Sequence, residues 1–169
     1  SKATAKKLIS MGVIDDVTLT YTKNSAVFKS DEYTIYTRLI EGKYFAYQKM
    51  FTEGEINTCA SRTALIGAMT RAKMCTEEKQ PAVFQIEDDV LNISIRDKLA
   101  DYQEQVPLQE TVCKSIRLGF DSRLVLETLK AFTCDNIALG FTSPRTPMIV
   151  EAEDSDMKAM VLPVAIREV

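Results

Sequence analysis

The sequence contains no histidine. That absence removes Ser-His and Cys-His nucleophile pairs, an imidazole general base and every histidine-ligated metal. Cysteine is sparse. Cys59, Cys75, Cys113 and Cys134 lie 16, 38 and 21 residues apart, which fits neither a CxxC zinc knuckle nor a redox pair. They read as small buried hydrophobes in a reducing compartment. No uninterrupted run of ~18 apolar residues occurs, so no helix is expected to span a membrane. The chain does not open on a charged stretch followed by an apolar one, as a secretory signal would. Nor is there an aromatic-rich stretch of the kind that stacks single-stranded bases. What remains is an ordinary globular composition over 169 residues, 46% apolar and 27% charged. That suits one domain, or one and a part, with a core that needs no metal or disulfide.

Acidic residues gather at Glu87-Asp88-Asp89 and at Glu151, Glu153, Asp154 and Asp156. Either group could hold a hard cation. The first reads as a turn and the second as a loop, both normally solvated, so no metal, cofactor or catalysis is expected.

The net charge of −3 hides an uneven distribution. Residues 1–12 carry +3, residues 61–74 carry +3 and residues 121–132 carry 0, which leaves −9 for the rest. All three segments have helical patterns. Ala64, Leu65, Ala68, Met69 and Ala72 share one arc, with Arg62 and Lys73 opposite and Arg71 at the border. Val125, Leu126, Leu129 and Phe132 share a face, and Arg123, Glu127 and Lys130 another. Ala5, Leu8 and Ile9 share a face of the first segment. Ser61 and Asp121 are placed to cap their helices. Basic helices on an acidic body suit a polyanion facing one side; equally, the cations could simply solvate exposed helix faces.

The three helices recur at a period of about 60 residues, and strand patterns follow each one. These are Val17–Tyr21, Ser25–Lys29 and Thr34–Ile40; Val83–Glu87, Leu91–Ile95 and Tyr102–Leu108; and Ile137–Thr142, Met148–Ala152 and Ala159–Val164. A strand also leads into the second helix (Glu55–Ala60) and the third (Ser115–Phe120). Turn-prone pairs separate them at Lys23-Asn24, Asp88-Asp89 and Ser143-Pro144. The unit is strand, helix, three strands, written about twice in full. The first copy lacks its leading strand, so the chain is expected to begin inside a unit of something longer. The class is α+β, with repeated β-α-β-β-β units, helices on one face and antiparallel sheets outside. The polar segment Phe51-Thr52-Glu53-Gly54-Glu55 is the expected boundary, giving domains 1–52 and 53–169.

Three stretches resemble a known family. TRLIEGKYFAYQKMF (37–51) resembles the end of the middle domain of the bacterial DNA polymerase III beta subunit, the sliding clamp. LGFDSRLVLETLKAF (118–132) resembles that family's last helix and its leading strand, and Met160-Val161-Leu162-Pro163-Val164 its closing tail. The resemblance implies a DNA-clamp fold in which 1–52 is the second half of the middle domain and 53–169 the complete third domain. It implies a cytoplasmic, nucleoid-associated replication factor, a homodimer in its full length, which encircles duplex DNA without sequence preference and performs no bond chemistry. Lys2, Lys6, Arg62, Lys73, Arg123 and Lys130 would face the DNA. Met74 and Cys75 would lie at the dimer contact or, alternatively, form the buried end of a helix.

The family also docks polymerase, clamp-loader and repair-protein peptides, Gln-led and ending in Leu and Phe, in a hydrophobic cleft. Its positions fall on Phe45, Lys49, Met50, Asp121, Leu124, Arg145, Pro147, Met160, Val161, Leu162, Pro163 and Val164. Most are apolar, and methionines re-pack readily around different partners; the alternative for any one of them is ordinary core. Departures stand at Phe45 (commonly Pro), Lys49 (commonly Arg), Leu124 (frequently Tyr) and Arg145 (usually small or apolar). The tail runs on through Ile166 to Arg167-Glu168-Val169. A variant peptide is therefore expected. The competing reading is a peptide-binding module of the same fold that does not encircle DNA.

Overall fold

The structure is a computed structural model, and it describes residues 1–11, 16–75, 80–96, 101–152 and 154–166. Ser1 opens α1 (Lys2–Ser10) by accepting from the Thr4 N–H, as a cap must where the first-turn donors have no helical partner. Strands β1 (Thr18–Tyr21), β2 (Ser25–Lys29) and β3 (Thr34–Arg38) form an antiparallel sheet in that order. A hydrogen bond of 2.9 Å between the Thr4 and Thr37 hydroxyls ties α1 to β3. This first compact unit covers residues 1–46, and α1 buries none of its residues. Of the apolar face expected for α1, Ala5 is exposed, Ile9 is 80% exposed and Leu8 is half-buried. One short helix over three short strands does not enclose both sides of a core.

The second compact unit, residues 47–169, begins with a 3₁₀ turn at Tyr47–Met50. It continues through β4 (Ile56–Ser61), α2 (Arg62–Met74), β5 (Ala82–Glu87), β6 (Val90–Arg96) and β7 (Asp101–Pro107). It ends with β8 (Ile116–Phe120), α3 (Ser122–Ala131), β9 (Asn136–Phe141), β10 (Met148–Ala152) and β11 (Lys158–Val161). The two helices pack against each other, α2 lies against β4, β6 and β7, and α3 lies against β11. One continuous core collects Leu65, Met69, Val125, Leu129 and the inward residues of both sheets. Phe84 and Phe120 meet edge to face at 5.1 Å within it.

The helix arcs fall as their spacing predicts. Leu65, Ala68, Met69 and Ala72 are buried in α2, with Ala64 packed at the margin, and Val125, Leu126 and Leu129 are buried in α3. The strand expected over Ala159–Val164 stops at Val161, because Pro163 has no N–H to give a ladder. The pair Asp88-Asp89 is the two-residue turn of the β5–β6 hairpin, with Asp88 at φ 51°. Its carbonyls accept from the N–H groups of Val112 and Leu108.

The sheet orders are β11-β10-β9-β4 and β7-β6-β5-β8. The strand leading each helix therefore completes the sheet of the other copy. β4 pairs with β9 and β8 with β5, both antiparallel. The cause is local. Ser61 is both the last residue of β4 and the cap of α2, so the helix carries the chain across to the opposite sheet with no connecting loop.

Candidate functional site

The residues singled out in the sequence fall into two groups, most of them in the second unit. The first is the polar flank of α2 and α3. Ser61 accepts from the Ala64 N–H at 3.4 Å, and Asp121 from the Arg123 N–H at 2.8 Å. Opposite the buried arcs, Lys73, Arg123 and Lys130 are exposed and Arg62 is half-buried. Arg62 is held in place: its Nε donates to the Cys134 carbonyl at 2.6 Å and its backbone N–H to the Asp135 carbonyl. The Arg123 guanidinium meets the Asp121 carboxylate at 3.3 Å. Burial pushes the Asp121 carboxyl up, but the side-chain and backbone N–H groups of Arg123 outweigh it and hold the carboxyl below its ordinary value. Lys2 and Lys6 lie exposed on α1, in the first unit.

Arg71, which the helical spacing leaves at the border of the polar arc, is paired. Its Nε donates to Glu104 at 2.8 Å, and a second nitrogen closes a bidentate ion pair. The Tyr102 hydroxyl lies within hydrogen-bond distance of both Glu104 and the Ala68 carbonyl. Hydrogen bonding from Arg71 holds the Glu104 carboxyl below its ordinary value. Burial, with the Glu104 carboxylate beside it, pushes the Tyr102 hydroxyl up to about 12. The network binds α2 to β7 and uses one helix cation for structure.

The second group is mostly apolar. Leu124, in the first turn of α3, is 51% exposed, Leu162 58%, Val164 41% and Met50 37%. Met160 and Pro163 are half-buried beside them in the chain, whereas Val161 is buried in the core at 3%. Met148 pairs with Val161, so Pro147 stands opposite Leu162 just past the end of the ladder. Arg145 lies exposed in the same β9–β10 turn. Lys49 is exposed in the 3₁₀ turn. Phe45 belongs to the first unit, exposed and stacked on Tyr44 at 5.3 Å. Beyond β11 the tail crosses to the other sheet. The Val164 N–H donates to the Gly119 carbonyl at 2.8 Å, forming an isolated bridge. The helical and strand spacings carry no signal of this crossing or of the Arg71–Glu104–Tyr102 network, since both join residues far apart in the chain.

At the end of α2, Met74 is 82% exposed and Cys75 half-buried. Met74 is therefore not the buried end of a helix. Of the acidic cluster after β10, Glu151 pairs with Lys158 at 2.7 Å across the ladder, and Glu153 lies outside the described residues. Among the described residues no three Cys, Asp or Glu side chains group to hold a metal, and no helix is long and apolar enough to cross a membrane.

Residues 51–165, nearly all of the second unit, match the family model of the DNA polymerase III beta subunit, C-terminal domain. The chain belongs to that family. Among its relatives, the beta sliding clamp of Staphylococcus aureus is 24% identical over 155 residues, covering 89% of this chain and 41% of its own length. That of Halalkalibacterium halodurans is 25% identical over 140 residues, covering 80% and 37%. The chain thus spans about two fifths of the length of the curated relatives it matches. The fold follows the clamp closely. A beta sliding clamp from Caulobacter crescentus superposes over 97% of this chain and 45% of its own with a TM-score of 0.87 at 16% identity. A putative DNA polymerase III beta subunit from Eubacterium rectale gives 0.82 at 24% identity, over 94% and 44%. Both likenesses extend over more of the chain than the family model matches.

Proposed function

We propose that this chain serves as part of a sliding clamp, a non-catalytic processivity factor that closes around duplex DNA and docks its client proteins by short peptides. Residues 1–52 would contribute to the middle domain and 53–169 form the third. The match of residues 51–165 to the clamp's C-terminal domain carries this reading. The cations on α2 and α3 favour it, because attraction to phosphate is long-ranged and blind to sequence, as sliding requires. With a net charge of −3, topology rather than affinity would hold the clamp on DNA. The exposed apolar residues Leu124, Leu162, Val164 and Met50 suit anchor side chains of a docked peptide. Met74 and Cys75 would meet the next subunit of a homodimer.

Retention on DNA is the test. The native protein, taken from its own cells and loaded on nicked circular duplex, should stay bound through a salt wash and leave once the circle is linearised. Equal loss from both forms would refute encirclement. Pairing of Arg71 with Glu104 and of Arg123 with Asp121 lowers the net cationic charge of the helix flank. That observation favours a second reading, a peptide-docking module that does not encircle DNA. It predicts peptide binding with no difference between circle and line.

A further inference from the structure

The docking surface depends on a tail that has left its sheet. β11 ends at Val161, and the next residues show Leu162 and Val164 outward at 58% and 41% exposure. Such a segment needs something to fix its course, since exposed apolar side chains contribute little to holding it. Gly119 supplies the fixing point. Its neighbours Leu118 and Phe120 are fully buried in the core, so Gly119 turns to the outer side of β8. The tail lies on that side. A Cβ on Gly119 would stand 2.8 Å from the Val164 carbonyl oxygen, 3.1 Å from Ile166 Cγ1 and 3.2 Å from Pro81 Cβ. The tightest of these is to backbone, which cannot swing away as a side-chain end would. The same glycine's carbonyl accepts the Val164 N–H. Two residues on, Asp121 caps α3, whose first turn presents Leu124.

We propose that Gly119 is a positioning residue for peptide docking: its missing side chain lets the tail lie against β8 and so sets Leu162 and Val164 in register with Leu124. The proposal rests on the docking reading and goes beyond it, because Gly119 itself has no side chain to offer a partner. It acts only through the tail.

The test uses the whole chain, a fluorescein-labelled Gln-led peptide ending in Leu-Phe, and the variants Gly119→Ala, Ile166→Ala and Leu162→Ala. In Gly119→Ala the Val164 amide should lose its protection from hydrogen exchange, and peptide affinity should fall about tenfold. Leu162→Ala should weaken the unsubstituted protein several-fold, yet change the Gly119→Ala protein less than about twofold, since the side chain is already out of place. Ile166→Ala loosens the tail without touching the docking residues or the core strand, and should weaken binding about threefold, again blunting the effect of Leu162→Ala. It decides the matter if Gly119→Ala does not fold. A purely structural role for Gly119 would lower the melting temperature and leave the effect of Leu162→Ala undiminished. That additive result, or full affinity with the Val164 amide deprotected, overturns the proposal alone. Failure of the unsubstituted protein to bind the peptide sinks the docking reading and this proposal with it.

Discussion

Leu162 and Val161 are adjacent in the chain and should fail in opposite ways when truncated. Burying a leucine side chain completely is worth about 1.5–3 kcal/mol. Leu162 is still 58% exposed, so roughly half of that, about 1–2 kcal/mol, remains for a docked peptide to gain. Leu162→Ala should therefore weaken peptide binding about 5- to 30-fold. It should cost under about 1 kcal/mol of folding stability, because the site opens to solvent and no cavity is left. Val161 is 3% exposed, pairs with Met148 and joins the core. Val161→Ala removes two buried methyl groups and leaves a void, so it should cost about 2–3 kcal/mol of stability. With the fold kept at low temperature, it should change peptide affinity less than about threefold. Urea unfolding and fluorescence anisotropy, run on the same two proteins, separate the effects. If Leu162→Ala destabilises as much as Val161→Ala and binds peptide unchanged, the exposed face is not a docking surface.

The Arg71–Glu104–Tyr102 network predicts a pH dependence of stability. The folded Glu104 carboxyl lies below its ordinary value of 4.5, so its contribution is fully present above that value and lost as pH falls through the lowered one. Glu104→Gln should flatten that acid limb in pH-dependent urea titrations. At the other end, Tyr102 rises from 10.0 to about 12, so stability should decline as pH climbs between them, and Tyr102→Phe should remove the decline. Charge reversal at Lys73 and Lys130, both exposed, should weaken duplex binding equally across sequences and lower the salt slope by about 0.9 for each phosphate left without its cation. Reversal at Arg62 should also destabilise, since its Nε bonds the Cys134 carbonyl. Gly54→Ala places a Cβ 2.7 Å from the Phe141 backbone nitrogen and should cost about 1–3 kcal/mol, read by thermal unfolding.

Which of these features could be read from the residues alone follows from how far their causes reach along the chain. The arcs of α2 and α3, the caps at Ser61 and Asp121 and the hairpin turn at Asp88-Asp89 depend on neighbours within a turn of helix or a single hairpin, so spacing predicts them. Leu162 and Val161 are both apolar, so their type alone does not say which is buried; β11 stops between them. Pro163 carries that signal in the sequence. Exchange of β4 and β8 between the two sheets has no local mark, because each pairs with a strand from the other copy. The repeat shows that two copies exist but not which strand each sheet completes itself with. Gly119 belongs to this non-local kind. In the sequence it is one glycine inside a strand pattern, which signals a close approach without naming what approaches. Only the tail's return from β11 to β8 supplies the partner, and the tail can make that return because both sheets share one core. The exchanged strands and the fixed tail are thus consequences of one arrangement.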